Sequence, residues 1–420
     1  MKPMREYPLD NSAIIHLATR RKWYCNSFRL AVTLKETVEP ALLQQALNTV
    51  VPRFPTIAAG IEKNFFRYRV VPVQYAPRVT EEQEEDFLAC MTPQQIRSAA
   101  FRVLYRGRSI SGEFFHALTD GYGALVFMKT LLAEYLKLAH SIEISEHAMI
   151  LLPEEQPLLE EVKDDFFTYA GEKSAPLQSC RSYQIPAFID CSGKVMTTSL
   201  KYDIQQLLQV AKRHRTSLTV LLTAVMAASV AEIQQKYSKK GLCRRPVQIM
   251  VPVNLRNLFP STTLRNFSLF ALPGVRAEEC SYPVTRLVKL IEAQMQVQST
   301  AEHMAAIMAT HTRADQMPVM KVIPLFLKLQ VLKFAQQLYG EPNSSISLSN
   351  LGNVVLAEEM TPYVERMEAF LTPRISSPYN CGVVSYDGTC YINFSRFCES
   401  AELELCFTKH LQKIMEDDAS

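Results

Sequence analysis

A histidine and an aspartate stand four residues apart, followed directly by a glycine, in the segment GEFFHALTDGYG at residues 112–123. An imidazole titrates close to neutral pH, so His116 could act as a general base toward a hydroxyl group. Asp120 and Gly121 are the other two candidate site residues in this segment. A lone histidine is more often an ordinary core residue than a catalytic one. A histidine four residues before an aspartate also occurs often by chance, so the elements around His116 must support the catalytic interpretation.

The elements on either side of His116 give it a defined place. Residues 101–105 and 110–115 alternate between apolar and polar side chains, and RGRS at 106–109 separates them, which predicts a β-hairpin. After the histidine, residues 122–138 carry apolar side chains at helical spacing. We therefore expect His116 to lie at the end of a hairpin strand, near the positive end of a helix.

The rest of the chain mixes strands and helices in both halves, and its periodicity weakens from about residue 141 to 186. Pro40 suits the first turn of a predicted helix, and a second helix begins at a good N-cap, Asp203. The predicted strands are 26–34, 65–71, 195–202, 247–253, 363–371 and the hairpin 382–394. The predicted helices are 39–51, a short one at 160–169, 203–213, 217–237, most of 277–311, 321–339 and 400–416.

Composition narrows the classes of function. The chain has 420 residues with 48% hydrophobic and 21% charged residues, which is typical of a globular protein with two domains. Its formal net charge of +3 and the lack of a basic stripe give no indication of nucleic-acid binding. The ten cysteines show no CxxC spacing or clustered ligands, which predicts free thiols, no metal and a cytoplasmic location.

The start of the sequence and its most apolar run also favour a soluble cytoplasmic protein. The first residues lack the apolar stretch of a signal peptide. The most apolar segment, 218–233, is shorter than the roughly 20 residues that a bilayer span needs. We expect it to form a buried core helix.

Five landmarks occur together in a fixed order. They are the segment ALLQQALNTVVPRFP at 41–55, the histidine segment at 112–123, VPVNLRNLFPSTTLRNFS at 251–268, SLSNLG at 347–352, and a hairpin turn at Asp387-Gly388. In this order they resemble the HxxxD acyltransferase superfamily, which includes alcohol O-acetyltransferases, polyketide-associated acyltransferases and peptide-synthetase condensation domains. The resemblance spans nearly the whole chain.

The resemblance implies an α/β architecture of two chloramphenicol-acetyltransferase-like subdomains with the active site in the cleft between them. We expect the first subdomain at residues 1–170, a crossover linker at 171–184 and the second subdomain at 185–420. Since both halves are present in one chain, a monomer is expected.

The resemblance also implies a reaction. His116 would deprotonate an acceptor hydroxyl, whose oxygen attacks the thioester carbonyl of an acyl-CoA with an acetyl or longer acyl group. Backbone amides near Gly121 would stabilise the oxyanion, no covalent acyl-enzyme would form, and acyl-CoA would be a co-substrate with no other cofactor.

Other site residues follow from the matched segments. Asp120 would pair with Arg256 and hold the shape of the loop rather than exchange protons, since a buried carboxylate needs a partner. Asp120 could equally cap the following helix, alone or together with that pairing, and Arg256 could be a surface arginine. The residues expected to shape the cleft and bind substrate are Asn254, Arg265, Asn266 and Ser349.

Several alternatives stay open. Condensation domains carry two adjacent histidines, whereas Phe115 precedes His116 here, which weakens the peptide-bond-forming alternative. The donor could still be an acyl carrier protein thioester with a small-molecule amine or alcohol as acceptor, or the chain could be a non-catalytic binding protein. The segment 321–339 could line an acyl tunnel or contact a lipid surface, or be a core-facing helix with solvated lysines.

Overall fold

The computed structural model describes residues 6–10, 13–20, 24, 26–145, 149–175, 180–187, 193–237, 245–316, 322–339, 343–374 and 377–417. The strands are β1 Tyr7–Pro8, β2 Ser27–Leu34, β3 Ala59–Lys63, β4 Tyr68–Pro72, β5 Thr80–Glu81, β6 Phe101–Arg106, β7 Ser109–Phe115, β8 Met196–Asp203, β9 Val247–Asn254, β10 Ser268–Ala271, β11 Gly274–Val275, β12 Ile346–Asn353, β13 Val364–Leu371, β14 Tyr379–Tyr386 and β15 Thr389–Arg396.

The helices lie between and after these strands. They are α1 Ala13–Ala18, α2 Pro40–Val50, α3 Pro93–Ser98, α4 Gly121–His140, α5 Leu159–Val162, α6 Phe166–Tyr169, α7 Ile204–Arg213, α8 Leu218–Tyr237, α9 Val284–Gln298, α10 Ala301–Gln316, α11 Leu325–Tyr339 and α12 Glu402–Asp417.

The first large sheet has the strand order β13-β2-β7-β6-β5. The predicted hairpin of β6 and β7 is present, and Gly107 at its turn has a φ of 56°, a conformation that glycine adopts without steric cost. Helices α2 and α4 pack against each other in the same apolar core as this sheet. Since β7 is paired on both sides, the strand that leads to His116 is rigidly held.

The second large sheet has the order β10-β9-β12-β14-β15-β8, with β11 also paired to β9. Strand β12 runs parallel to both of its neighbours, whereas the hairpin of β14 and β15 is antiparallel. Helix α8 packs between α9 and α12 over this sheet in a second core. The chain is therefore a mixed α/β protein, as predicted.

Helix α8 forms the centre of the second core. Among the described residues it is the one helix long and apolar enough to cross a membrane, and 78% of its most apolar window is buried inside the protein. Its apolar residues face protein on all sides, as expected for a core helix. The prediction of a buried helix at 217–237 is confirmed.

One strand does not follow the predicted division at 171–184. Strand β13 comes from the second half of the chain but pairs antiparallel with β2 of the first sheet, from Leu371 opposite Phe28 to Val364 opposite Leu34. The predicted second subdomain, 185–420, thus gives a strand to the first sheet. Part of the predicted crossover, 176–179, lies outside the described residues.

Two smaller predictions were wrong in their bounds. The strand predicted at 65–71 begins at Tyr68, because Asn64 accepts hydrogen bonds from the amides of Phe66 and Arg67 and turns the chain there. The helix predicted at 160–169 is two single turns, α5 and α6, separated by residues 163–165. Strands β3 and β4 form a small third sheet with β1.

Candidate active site

His116 follows the last residue of β7, five residues before α4 begins at Gly121, as predicted. Its amide donates to the carbonyl of Asn26, and Leu118 donates back to Phe115, so a tight turn fixes the backbone. The ring lies 5.0 Å from the ring of Phe28 on the neighbouring strand β2. The backbone of His116 is therefore fixed between β7 and α4, and its ring lies against β2.

The ring of His116 takes part in a chain of polar groups. Its Nδ1 lies 3.1 Å from Oδ1 of Asn266, and Nδ2 of Asn266 donates to Oδ2 of Asp10 at 3.4 Å. In its ionised form, which the charge of Arg265 favours, the carboxylate of Asp10 can only accept a hydrogen bond. The amide nitrogen of Asn266 then faces Asp10, and Oδ1 of Asn266 accepts from Nδ1–H of His116. This tautomer leaves the lone pair on Nε2.

Burial lowers the pKa of His116 below its ordinary value of 6.5. Hydrogen bonds to the backbone, the charge of Asp120 and the hydrogen bond with Asn266 raise the pKa, but they offset only part of the effect of burial. A histidine with a lowered pKa is neutral at pH 7 and can accept a proton.

A second histidine, His16 on α1, stacks on His116. The ring centroids are 4.5 Å apart and the planes differ by 9°. Burial, and the positive charge that His116 would carry, lower the pKa of His16 well below 6.5. Its buried Nδ1 has no hydrogen-bond partner within the described part of the chain. Sequence reasoning missed this residue because nothing local in α1 indicates a ring 100 positions away.

Asp120 both caps α4 and pairs with Arg256, so the two alternatives hold together. Its Oδ1 accepts from the amide of Gly123 at 3.1 Å. Its Oδ2 accepts from Nη1 of Arg256 at 2.7 Å and from the amide of Phe267 at 2.8 Å. These three charge-assisted bonds on a buried carboxylate join the start of α4 to Arg256 and to the backbone at Phe267.

Arg256 is not a surface arginine, since only 5% of its side chain is exposed. Besides Asp120, it donates to Oδ1 of Asn254 at 3.0 Å and to the carbonyls of Thr263 and Arg265 at 2.8 and 2.7 Å. The guanidinium also lies 4.5 Å from the ring of Tyr122 in the first turn of α4. Arg256 therefore joins the segment 254–267 to the start of α4.

Arg265 and Asn254, expected to bind substrate, are occupied by protein groups. Arg265 is 2% exposed, donates to the carbonyl of Pro8 at 2.6 Å, and lies 3.5 Å from the carboxylate of Asp10. Burial raises the pKa of Asp10 to about 7, and the charge of Arg265 opposes this shift. These contacts favour a positioning role, in which Arg265 holds the N-terminal segment against the site.

Two glycines allow segment 254–267 and strand β12 to approach the start of α4. A Cβ on Gly123 would lie 2.2 Å from the carbonyl oxygen of Leu264, and one on Gly121 would lie 2.5 Å from Cδ2 of Leu351. The amides of Gly121 and Tyr122 have no acceptor among the residues that the structure describes. Amides at a helix N-terminus that lack an acceptor can bind an anion.

Ser349 lies on β12, two residues before Leu351. Its side chain is half-buried and forms no hydrogen bond with His116, Asn266 or Asp120 in the described part of the molecule. Apart from Gly121, which lies against Leu351, the other predicted residues form one network of contacts. Asp10, His16 and Thr119 join it unpredicted. Thr119 donates to the carbonyl of Leu264 at 2.6 Å. Of these three, Asp10 alone gave a local signal, as an N-cap three residues before Ala13.

Protein-family models and curated protein sequences give no match to this chain. Solved structures do. Polyketide synthase associated protein 5 from Mycobacterium tuberculosis has a TM-score of 0.62 at 14% identity, over 97% of this chain and 96% of that one. The first condensation domain of the calcium-dependent antibiotic synthetase has a TM-score of 0.63 at 12% identity, over 98% and 96%. F. sporotrichioides TRI101, complexed with coenzyme A and T-2, has a TM-score of 0.63 at 11% identity, over 96% and 97%.

These similarities extend over nearly all of both chains in each comparison. The present chain has the fold of the HxxxD acyltransferase and condensation-domain superfamily. The resemblance inferred from the five sequence landmarks is confirmed at the level of fold, and so is the α/β architecture of the chloramphenicol-acetyltransferase type.

Proposed function

We propose that this chain is an acyltransferase that moves an acyl group from a coenzyme A thioester to an acceptor hydroxyl, with Nε2 of His116 as general base. The observation that carries the proposal is the imidazole of His116, held in one tautomer by Asn266. A neutral ring with its lone pair on Nε2 is what a proton transfer from a hydroxyl requires.

The proposed reaction has two steps. Nε2 of His116 takes the proton of the acceptor hydroxyl while the oxygen bonds to the thioester carbon, and the carbonyl oxygen becomes an oxyanion. The free amides of Gly121 and Tyr122, at the N-terminus of α4, would donate to that oxyanion. The C–S bond then breaks as the carbonyl re-forms, and the proton on Nε2 passes to the sulfur of the leaving thiol.

The rest of the site would keep this geometry in place. Asp120 and Arg256 fix the start of α4 against segment 254–267, so the oxyanion donors and His116 stay in register. A base and its oxyanion donors must keep their geometry, because a misplacement of about 1 Å can cost 10²-fold in rate. We propose no cofactor and no covalent intermediate.

Two observations support the choice of donor and acceptor. TRI101, which shares the fold, was solved with coenzyme A bound. Phe115 stands where condensation domains usually carry a second histidine. A carrier-protein donor with an amine acceptor is therefore the second choice, and it is distinguished by the same experiment.

The test is the release of free thiol from a panel of acyl-CoAs of increasing chain length, with simple alcohols and amines as acceptors. We expect alcohol-dependent release in the wild type and a loss of about 10²-fold or more in His116→Ala. His303→Ala is the matched control, because this half-exposed histidine on α10 lies outside the site; it should keep the wild-type rate.

The outcomes separate the alternatives. Release that is unchanged in His116→Ala would contradict the assignment of the base. Release only from carrier-bound acyl groups, or only with amines, would replace the coenzyme A and hydroxyl assignments while leaving His116 in place. An absence of thiol release with every donor would indicate a binding protein.

A further inference from the structure

Helix α11 presents its apolar side chains to solvent. Leu325 is buried, whereas the opposite face exposes Val322 just before the helix, then Phe326, Leu327, Val331 and Phe334, at 46–68% of their full accessibility. A helix on a soluble protein normally turns its apolar face inward and its polar face outward. The predicted core-facing helix is therefore only partly correct, because α11 buries Leu325 but exposes apolar side chains on its opposite face.

A second exposed apolar group adjoins this face. Phe65 and Phe66, at the turn between β3 and β4, are 66% and 45% exposed. The turn is tied to the helix, because the amide of Leu325 donates to the carbonyl of Phe65 at 2.9 Å and Lys328 donates to the carbonyl of Phe66 at 3.1 Å. We call the two together the α11 patch.

The patch gathers seven of the seventeen large apolar side chains that are exposed in the described part of the chain. Contiguous exposed patches of this kind mark sites of interaction, whereas single exposed apolar residues do not. The turn by itself exposes two adjacent phenylalanines, which are suited to insertion into an apolar phase.

Three exposed basic residues adjoin the patch in the sequence. Lys63 and Arg67 flank the two phenylalanines and are exposed, and Lys333 is exposed on the helix. The neighbouring acidic residue, Glu62, lies 3.7 Å from Arg97, which offsets its charge. An exposed apolar face with a basic rim fits an anionic bilayer, where apolar groups enter the acyl region and lysines meet the headgroups.

We propose that the α11 patch docks the protein on an anionic membrane surface. Aromatic residues and basic residues in this arrangement favour a bilayer over a second copy of the chain, which would bring the same positive charges together. Docking of this kind requires no conformational change, because the apolar groups are already exposed.

The position of the α11 patch relates it to the proposed active site. Helix α11 packs on α1, and α1 carries His16, which stacks on His116. A membrane bound at the patch would lie one helix away from these rings. On this basis, which rests on the proposed function, the substrates are amphipathic molecules that partition into the bilayer, such as long-chain acyl thioesters or lipid alcohols.

Docking is tested without substrate, by flotation of the protein with vesicles of phosphatidylcholine, with and without phosphatidylglycerol. We expect the wild type to bind the anionic vesicles more tightly. The variants Phe326→Ser/Phe334→Ser and Phe65→Ser/Phe66→Ser should each weaken binding by about tenfold or more, because each removes two large apolar side chains. Lys63→Glu/Lys333→Glu should remove the preference for anionic lipid.

Leu405→Ser is the matched control, since Leu405 on α12 is 71% exposed and lies outside the patch. Circular dichroism and thiol release from a water-soluble acyl-CoA should be unchanged in the patch variants, which verifies folding. Failure of the wild type to float, equal loss in Leu405→Ser, or a dimer in solution that Phe326→Ser/Phe334→Ser dissolves would each overturn the docking proposal. Since flotation needs no turnover, its result is independent of whether His116 proves catalytic.

Discussion

At the scale of single residues, the site depends on one hydrogen-bond chain. Asp10 orients the amide of Asn266, and Asn266 orients the imidazole of His116. A wrong tautomer at a catalytic histidine lowers rates severely even where the geometry survives. Asn266, expected only to shape the cleft, is thus the residue that determines which nitrogen carries the lone pair.

The pH dependence follows from the same contact. Burial lowers the pKa of His116, and the neutral form is the base, so the rate should rise with pH through a pKa below 6.5 and be level at neutral pH. In Asn266→Asp, a carboxylate beside Nδ1 favours the imidazolium form. The acid limb of kcat/KM should then move up by about one pH unit or more.

Asn266→Ala is the control for that measurement. It removes the acceptor without adding charge, so it should lower kcat/KM without moving the acid limb upward. An unchanged limb in Asn266→Asp would contradict the assigned contact between Asn266 and His116.

At the scale of elements, the site is a junction between the start of α4, segment 254–267 and strand β12. Gly121 and Gly123 permit this junction, but they meet different neighbours. Gly123 abuts backbone, which cannot move alone, whereas Gly121 abuts the end of a leucine side chain that can change rotamer.

We therefore expect Gly123→Ala to reduce the free energy of unfolding by about 2–3 kcal/mol, as overpacked sites do. Gly121→Ala should reduce it by less than about 1 kcal/mol, because only Leu351 must move. Denaturant titration of both variants measures the difference. Equal losses would show that the approach of Leu264 to α4 is not as close as described.

The elements themselves were largely predictable from the sequence, and their partners were not. The β6–β7 hairpin and helix α8 follow from short-range periodicity, because a turn and an apolar run are local features. The pairing of Asp120 with Arg256 required the resemblance. Asp10 and His16 were not predicted as site residues, because their contacts with Asn266 and His116 join positions that no local sequence pattern relates.

At the scale of the whole molecule, the two sheets share the chain unequally. The first core includes Val354, Met360 and Met367 from the second half of the sequence, and β13 covers the edge of β2. An unpaired edge strand with buried apolar residues beside it is prone to aggregate. We therefore expect that the first half does not fold by itself.

A split of the chain tests this dependence. Residues 1–175 produced alone should lack cooperative unfolding or precipitate, because β13 and its core residues are missing. Produced together with residues 180–420, the fragment should become soluble and co-purify with it. A cooperative thermal transition for 1–175 alone, monitored by circular dichroism, would contradict the prediction; residues 180–420 alone serve as the comparison.

The strand exchange also has a consequence for synthesis of the protein. Phe28 is translated well before its partner Leu371, because most of the second sheet lies between them in the sequence. The edge of β2 therefore stays open until β13 has been translated. Contacts between such distant positions slow folding and prolong the exposure of apolar surface. During this interval the growing chain therefore exposes an open strand edge, which is the kind of surface that invites aggregation before folding is complete.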